Sequence, residues 1–228
     1  MTDRLLGSVS ELGGAAASPV RGFSIDIDGL AGRIRDVGWA VLPGAVDLRL
    51  CAALRRMALA EWSRGGFRTG GIGRTRQRRP ETRRTAIRWI EGTDPAEAEY
   101  LAAMEALRLG LNRRLILGLF EFESHYAVYP PGGFYATHVD ALRGGGNRQV
   151  STVLFVEPRW DAAGGGLLEI DAPGGGVLAA VPPEAGTLVC FLSEVFPHRV
   201  TPTRRRRVSL PGWFRCNPSF GGRIAPPD

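Results

Sequence analysis

Two histidines and one aspartate have the residue types and the spacing of a metal site. A single valine separates His138 from Asp140, and His198 lies far downstream. Side chains of a strand alternate between its two faces, so a His-x-Asp pair at a strand end directs an imidazole and a carboxylate to the same side. Two histidines and one carboxylate form the facial triad of non-haem Fe(II) sites, which leaves metal positions open for co-substrates.

Arg207 is the fourth candidate for the site. Its guanidinium offers a planar fork that pairs with a carboxylate through two parallel hydrogen bonds. We interpret residues 204–206 as a solvated basic run, whereas Arg207 directly precedes an alternating apolar stretch from Val208 to Phe214. A 2-oxo acid that chelates iron at one end needs a cation at its far carboxylate, and we assign Arg207 to it. The remaining histidine, His125, has no partner motif, and we interpret it as structural.

The segment between the two candidate ligand histidines has the pattern of short strands. Each candidate strand is rich in valine, leucine and isoleucine, and clusters of glycine or proline separate them. The strands are predicted at residues 150–156, 167–170, 177–181 and 187–192. Short strands at regular spacing with turn signals favour an all-β sandwich or barrel, which can bring both ends of the segment onto neighbouring strands.

The N-terminal half has helical periodicity in three places. Apolar residues recur at helical spacing within residues 25–37, 47–62 and 95–113, and Asp47 is placed to cap the second helix. A short strand is predicted at 38–42, and residues 115–129 are predicted to enter the sheet. Residues 64–84 are rich in glycine and arginine but lack a phosphate-loop pattern. A long loop inside a compact domain is often functional, and we interpret this one as a lid.

From about Gly38 to Phe214, the chain resembles the Fe(II)/2-oxoglutarate dioxygenase superfamily in its prolyl 4-hydroxylase branch. The resemblance is to the hypoxia-inducible-factor prolyl hydroxylases and their bacterial relatives. It rests on the His-x-Asp pair, the distal histidine, the arginine nine residues later and Trp213 six residues after that arginine. The sequence IRWIEG at residues 87–92 adds to it, because a similar segment precedes the barrel in that family.

The resemblance implies a mainly β fold with flanking helices. The expected architecture is a double-stranded β-helix, or jelly roll, buttressed by N-terminal α-helices. We expect one dioxygenase domain at residues 23–216, with its β-helix core at about 115–215. Residues 1–22 are expected to be a mobile N-terminus, and residues 217–228 are expected to be a C-terminal tail.

The resemblance also implies cofactors and residue roles. The cofactors are Fe(II), 2-oxoglutarate and O2, with ascorbate as the reductant. Arg207 would bind the distal carboxylate of 2-oxoglutarate, and Tyr129 and Tyr135 would contact the same co-substrate. Arg148 and Trp213 would face the substrate. The implied metal ligands, which are also the catalytic residues, are His138, Asp140 and His198.

Two positions depart from the family pattern. Phe155 stands where close eukaryotic relatives have a tyrosine that helps to bind the distal carboxylate, so another group must compensate for the missing hydroxyl. Those relatives also carry Arg-Gly-Asp where this chain has Arg83-Arg84-Thr85. The acidic residue that would pair with Arg148 near the metal is therefore absent, which leaves the mode of substrate engagement open.

The implied reaction is prolyl hydroxylation of a protein, coupled to decarboxylation of 2-oxoglutarate. Bacterial relatives hydroxylate elongation factor Tu, so a translation factor is the implied partner. Hydroxylation of a small molecule or a free amino acid would use the same machinery and is one alternative. A non-catalytic jelly-roll sensor or binding module is another, although it would not need Arg207. A nucleic-acid demethylase would follow its distal histidine with a differently spaced arginine pair, which the chain lacks.

Composition limits the remaining classes. The chain has 228 residues and a net charge of +6, and its arginines are not interleaved with stacking aromatics, so nucleic acid is not an expected partner. The sequence has neither a signal-peptide pattern nor an apolar run of about eighteen residues, which predicts a cytoplasmic protein without membrane contact. Three cysteines without close pairing argue against a disulfide framework or a zinc site.

Overall fold

The computed structural model describes residues 22–70, 79, 81–141 and 147–216. The predicted mobile N-terminus, except for Gly22, and the predicted C-terminal tail lie outside the described residues. Residues 71–78 and 80 of the predicted lid also lie outside them, so the structure describes only the two limbs of that segment.

Three α-helices pack against one face of the main sheet in the described part of the chain. They are α1 (Ile27–Asp36), α2 (Leu48–Ser63) and α3 (Pro95–Leu115). Each helix follows an aspartate whose carboxylate accepts a backbone N–H of the first turn, which satisfies one of the donors that a helix start leaves unpaired. The three predicted helices are confirmed, and their boundaries differ from the prediction by no more than two residues.

Eleven strands, β1 to β11 in chain order, occur in the described residues. Their ranges are Trp39–Leu42, Arg68–Thr69, Ala86–Trp89, Glu121–Tyr129, Tyr135–His138, Arg148–Phe155, Leu168–Asp171, Val177–Val181, Leu188–Leu192, His198–Val200 and Arg207–Arg215. The large sheet has the order β1-β9-β6-β11-β4-β3-β2, and the small sheet has the order β5-β10-β7-β8. The four strands predicted between the candidate ligand histidines correspond to β6, β7, β8 and β9.

Side chains of the large sheet alternate between the helices and the small sheet. On β4, Tyr126 and Val128 belong to the apolar cluster that includes the helices, whereas Ala127 and Tyr129 belong to the cluster between the two sheets. This alternation follows from the pleat of a strand. Two facing antiparallel sheets with helices on the outer face form the predicted jelly roll, so the predicted fold class is confirmed. Among the described helices, none has the length and the apolar character needed to cross a membrane.

Candidate metal centre and co-substrate pocket

The two candidate ligand histidines lie directly opposite each other on neighbouring strands. His138 ends β5 and His198 begins β10, and the two residues are partners in the antiparallel register. Asp140 lies in the bend after β5. The alternation of side chains along a strand, from which we predicted the direction of this carboxylate, therefore applies to His138 but not to Asp140. Its carboxylate oxygens are 3.7 Å from His138 Nε2 and 3.5 Å from His198 Nε2. One ligand atom from each residue lies within 4.8 Å of the others, which suits a single small cation.

Backbone carbonyls fix the orientation of both imidazoles. His138 Nδ1 is 2.8 Å from the carbonyl of Ala136, and His198 Nδ1 is 3.1 Å from the carbonyl of Phe196. A carbonyl only accepts hydrogen bonds, so each Nδ1 carries the proton and donates it. The lone pair of each Nε2 is therefore directed towards the metal position, which is the usual arrangement of metal-binding histidines.

Two serines orient the candidate ligand carboxylate. Ser151 Oγ donates to Asp140 Oδ2 over 2.6 Å, and Ser193 Oγ is 2.9 Å from Ser151 Oγ. Because the hydroxyl proton of Ser151 goes to the carboxylate, Ser193 donates to Ser151. Sequence reasoning missed both serines, since neither belongs to a motif and only the pairing of β6 with β9 brings them together.

The protonation states favour metal binding near neutral pH. Burial and the neighbouring His198 lower the pKa of His138 to about 3, so its imidazole is neutral. Burial alone would raise the pKa of Asp140, but the two imidazoles, Arg148 and the Ser151 hydrogen bond outweigh it and hold that pKa below its usual value. A neutral imidazole and an ionised carboxylate are the forms that coordinate a cation.

Arg207 lies at the inner end of the pocket and is almost fully buried, with 1% of its surface exposed. Nη1 donates to Ser209 Oγ over 2.9 Å, whereas Nε and Nη2 have no hydrogen-bond partner among the described residues. Burial lowers the pKa of Arg207, against the opposing influence of Tyr129 and Glu157. A buried guanidinium with two unpartnered nitrogens is costly unless an anion pairs with it. The pocket therefore fits a ligand with a carboxylate at this end and metal-chelating groups at the other.

Two side chains with hydroxyl groups, Ser209 and Tyr129, lie near Arg207, where Phe155 stands in place of the tyrosine of the relatives. The Phe155 ring centre is 5.3 Å from the Arg207 guanidinium, and its cross-strand partner on β11 is Ser209. A hydroxyl therefore stands on the adjacent strand, directly opposite the position where the relatives have a tyrosine. Tyr129 is the cross-strand partner of Arg207, and its ring centre lies 4.9 Å from the guanidinium. Gly166, at a φ of +66°, leaves room for the arginine, because a Cβ there would lie 3.0 Å from Arg207 Cδ.

Glu157 fixes the strand that carries Arg207. One carboxylate oxygen accepts the backbone N–H of Val208 over 2.8 Å, and the other accepts Arg55 Nε over 2.9 Å. Because Arg55 belongs to α2, this buried carboxylate ties the start of β11 to the helical layer. Sequence reasoning missed Glu157, which lies outside every motif.

A cavity of about 500 Å³ joins the triad to Arg207 and opens towards β2 and β3. The structure brings all the sequence-predicted site residues to its walls: Tyr129, Tyr135, His138, Asp140, Arg148, His198, Arg207 and Trp213. The two tyrosines that were predicted to contact the co-substrate lie at different places in the cavity. Tyr129 lies beside Arg207, whereas the ring of Tyr135 stacks on the His138 imidazole. Their centroids are 3.6 Å apart and their planes make an angle of 19°.

Arg148 has an acidic partner that the sequence comparison did not find. Its Nη2 donates to Glu123 Oε1 over 2.9 Å, and its guanidinium lies 3.7 Å from the Trp213 ring centre. Arg215 Nη1 donates to the second oxygen of Glu123 over 3.1 Å. The acidic residue of the relatives is absent from residues 83–85, but Glu123 supplies a carboxylate to Arg148 in its place. The carboxylate comes from β4, across two strand pairings, and not from the segment before β3.

His125 forms one wall of the cavity, so its interpretation as a purely structural residue was incomplete. Its ring packs against Trp89 at 5.1 Å and Trp213 at 5.6 Å, and its Nδ1 is 3.1 Å from the Tyr126 carbonyl. Nδ1 therefore carries the proton, because a carbonyl cannot donate. Burial, with Arg83 and Arg148 nearby, lowers the pKa of His125 to about 3.

The depressed pKa of His125 predicts a pH-dependent stability. The folded protein keeps this imidazole neutral, whereas the unfolded chain protonates it below its ordinary pKa of 6.5. Its contribution to stability is therefore complete above pH 6.5 and is lost as the pH falls towards 3. In thermal denaturation of metal-free protein between pH 7 and pH 4, His125→Gln should lose stability less steeply than the wild type, by up to about 1.4 kcal/mol per pH unit. Equal slopes would show that the buried imidazole is not neutral in the folded state.

Comparison with known proteins agrees with this geometry. The family model of the 2OG-Fe(II) oxygenase superfamily matches residues 124–215. A Pseudomonas putida prolyl-4-hydroxylase of known structure is 36% identical, with a TM-score of 0.77 over 84% of this chain and 100% of that one. A Trichoplax adhaerens prolyl hydroxylase, solved with a hypoxia-inducible-factor peptide fragment, is 21% identical, with a TM-score of 0.76 over 83% of this chain and 88% of that one. No curated protein sequence matches the chain significantly.

The facing sheets, the triad and the buried arginine define a jelly-roll oxygenase that uses iron and a 2-oxo acid. The chain belongs to the 2OG-Fe(II) oxygenase superfamily, in its prolyl 4-hydroxylase branch. The predicted family is confirmed, and its cofactors are Fe(II), 2-oxoglutarate and O2.

Proposed function

We propose that this chain hydroxylates prolyl residues of a polypeptide, with Fe(II) bound by His138, Asp140 and His198 and with 2-oxoglutarate bound by Arg207. The observation that carries the proposal is the buried guanidinium of Arg207. Two of its nitrogens lack a hydrogen-bond partner among the described residues, and Arg207 lines the same cavity as the triad. A metal-binding module would have no need for an anion site at the inner end of that cavity.

The residues around the cavity have separate tasks. Ser151 and Ser193 hold the Asp140 carboxylate in one orientation, and backbone carbonyls do the same for both imidazoles. Arg207, with Ser209 and Tyr129 beside it, would orient the distal carboxylate of the co-substrate. When bound, iron and 2-oxoglutarate supply the oxidation, in which one atom of O2 enters succinate, the other enters the substrate C–H bond as a hydroxyl, and CO2 is released.

The opposite wall of the cavity would receive the substrate. Trp89, His125 and Trp213 form an aromatic surface in which His125 and Trp213 are buried and Trp89 is half-buried, and the Arg148 guanidinium lies 3.7 Å from the Trp213 ring centre. Such a surface suits a compact apolar ring, and it excludes water from the reacting C–H bond. The 36% identity to a Pseudomonas putida prolyl-4-hydroxylase supports proline as the target. We extend the proposal to a translation factor as the polypeptide, to ascorbate as the reductant and to a cytoplasmic location.

A comparison of substrates tests the proposed function. The purified protein with Fe(II), ascorbate and 2-oxoglutarate is incubated with synthetic proline-containing peptides or with free L-proline, and succinate and the product mass are measured. We expect peptides, but not free proline, to stimulate succinate formation and to gain one oxygen atom on proline. Chelation of the iron should abolish both signals, because the open metal positions are where the co-substrates bind.

Each alternative predicts a different pattern in the same assay. Turnover of free proline or of another small molecule, with inert peptides, would favour a small-molecule hydroxylase. Tight metal binding without succinate formation under any condition would favour the non-catalytic binding module.

A further inference from the structure

Among the described residues, five arginines line the cavity; three of them contact a protein partner, and Arg207 is assigned to the proposed co-substrate. Arg68 is the fifth, and it lies on β2, the edge strand of the large sheet. The partners of the other four are Glu97 for Arg88, Glu123 for Arg148, the ring of Tyr135 for Arg83 and the proposed co-substrate for Arg207.

Arg68 is exposed and makes no ion pair with any residue that the structure describes. A cation at the mouth of a cavity, on the outermost strand that the structure describes in this sheet, is available to a group that arrives from outside. Its complementary group is a carboxylate, since opposite charges steer and orient a charged ligand at a surface.

Arg68 lies at the outer end of a row of side chains that begins inside the barrel. Successive cross-strand partners along this row are Phe155, Ser209, Ala127, Ile87 and Arg68. The row crosses β6, β11, β4, β3 and β2, and β6 also carries Ser151, which contacts the metal ligand Asp140. The row therefore begins at Phe155, beside Arg207, and Ser151 lies four residues away from it along β6.

The position of Arg68 relative to Ser151 sets a distance along the substrate. Four strand spacings, about 19 Å, separate β6 from β2, and four residues along β6, about 13 Å, separate Phe155 from Ser151, so the two perpendicular displacements give about 23 Å. An extended peptide advances about 3.3 Å per residue, so this distance corresponds to about seven residues. Because the arginine and its acidic partner both reach towards each other, the interval shortens to roughly five to seven residues.

The charged side chains at the mouth of the cavity favour one orientation of a charged substrate over the reverse orientation. Arg83 lies against the same strand as Arg68, because a Cβ at Gly70 would be only 2.7 Å from Arg83 Nε. Glu91 is the exposed carboxylate that lines the cavity. It lies four residues after Ile87, the cross-strand partner of Arg68, and two residues beyond the end of β3. The β2 end of the mouth is therefore positive and the far end of β3 is negative.

We infer that the polypeptide substrate carries an aspartate or glutamate that pairs with Arg68, roughly five to seven residues from the hydroxylated proline. The inference depends on the proposed function and adds a charge requirement to it. Reversal of the charge at Arg68 should lower kcat/KM for such a peptide by about tenfold and leave a peptide with neutral flanks within about twofold of the wild type.

A peptide library with one central proline and seven randomised residues on each side tests the inference. The iron-loaded enzyme with 2-oxoglutarate hydroxylates the library, and the products that gain one oxygen atom are sequenced by mass spectrometry. The variants compared are Arg68→Glu and the matched control Arg56→Glu, which makes the same charge change at an exposed position on α2, outside the cavity. A peptide with neutral flanks shows that each variant is folded and active.

The wild type and Arg56→Glu should enrich acidic residues at one position within the stated interval. Arg68→Glu should lose this enrichment and favour lysine or arginine there instead. Hydroxylation without an acidic preference, or with a preference that survives in Arg68→Glu, would overturn the inference while the proposed function stands. If no peptide is hydroxylated by any variant, the proposed function fails and the inference fails with it.

Discussion

Replacement of His138 or Asp140 by alanine is expected to abolish Fe(II)-dependent turnover of 2-oxoglutarate. Each variant removes one of three ligand groups that lie within 4.8 Å of one another, so the metal loses a bond that no other described side chain can replace. Substitution of a residue that only orients a ligand typically lowers metal affinity by about 10- to 100-fold. The loss of a ligand itself should exceed that range, and Ser151→Ala should fall within it.

Two measurements check this expectation. Titration of the protein with Co(II) or Zn(II) reports metal affinity without any turnover, and succinate formation reports activity. His125→Ala is the matched control, because this third histidine lines the same cavity but lies outside the triad, and it should retain metal binding. Circular dichroism should show that all variants are folded, since the ligands lie at a cavity wall. Near wild-type succinate production in both ligand variants would refute the assignment of the triad.

Replacement of Arg207 by alanine should raise the concentration of 2-oxoglutarate required for turnover by about 10- to 100-fold. Hydrogen bonds to charged groups contribute about 1.5–3 kcal/mol, and each 1.4 kcal/mol changes an affinity tenfold. Lysine should restore only part of the affinity, because it lacks the planar fork that pairs with both carboxylate oxygens. The measurement is the KM for 2-oxoglutarate in steady-state succinate formation, together with co-substrate binding by calorimetry.

Arg206→Ala is the control for this prediction. This variant also removes an arginine side chain, one position earlier in the sequence. Arg206 is exposed, so its loss should leave the KM for 2-oxoglutarate unchanged. A further comparison is Arg207→Ala with a 2-oxo acid that lacks the distal carboxylate, whose binding should be insensitive to the substitution. If Arg207→Ala binds 2-oxoglutarate as tightly as the wild type, another residue holds the distal carboxylate.

The sequence predicted those parts of the site that depend on short-range patterns. His138 and Asp140 are separated by one residue, and the position of Arg207 before an alternating apolar stretch is visible without a fold. The two histidines meet because β5 and β10 are paired antiparallel in the small sheet. The helices were also predictable, because their caps and apolar stripes are local.

The contacts that hold the site together depend on strand register, which short-range patterns do not determine. Glu123 meets Arg148 only because β11 lies between their strands, and a register shift between Phe214 and Arg215 changes the alignment at that end. Ser193 meets Ser151 only because β9 is paired with β6. Single serines and glutamates are common in any sequence, so nothing marks these before the sheet order is known. The assigned roles of Tyr129, Tyr135, Arg148 and Trp213 remain predictions, although all four line the cavity.

The burial of Arg207 couples the supply of co-substrate to the survival of the protein. A guanidinium with 1% exposure and two unpartnered nitrogens destabilises the folded chain until an anion pairs with it. A ligand present at a hundred times its dissociation constant stabilises a fold by about 2.7 kcal/mol, and the population of unfolded molecules open to proteases falls accordingly. Because Glu157 ties the Arg207 strand to α2, this stabilisation extends from the pocket to the helical layer. A cell that is short of 2-oxoglutarate would therefore lose molecules of this protein to degradation as well as lose their activity.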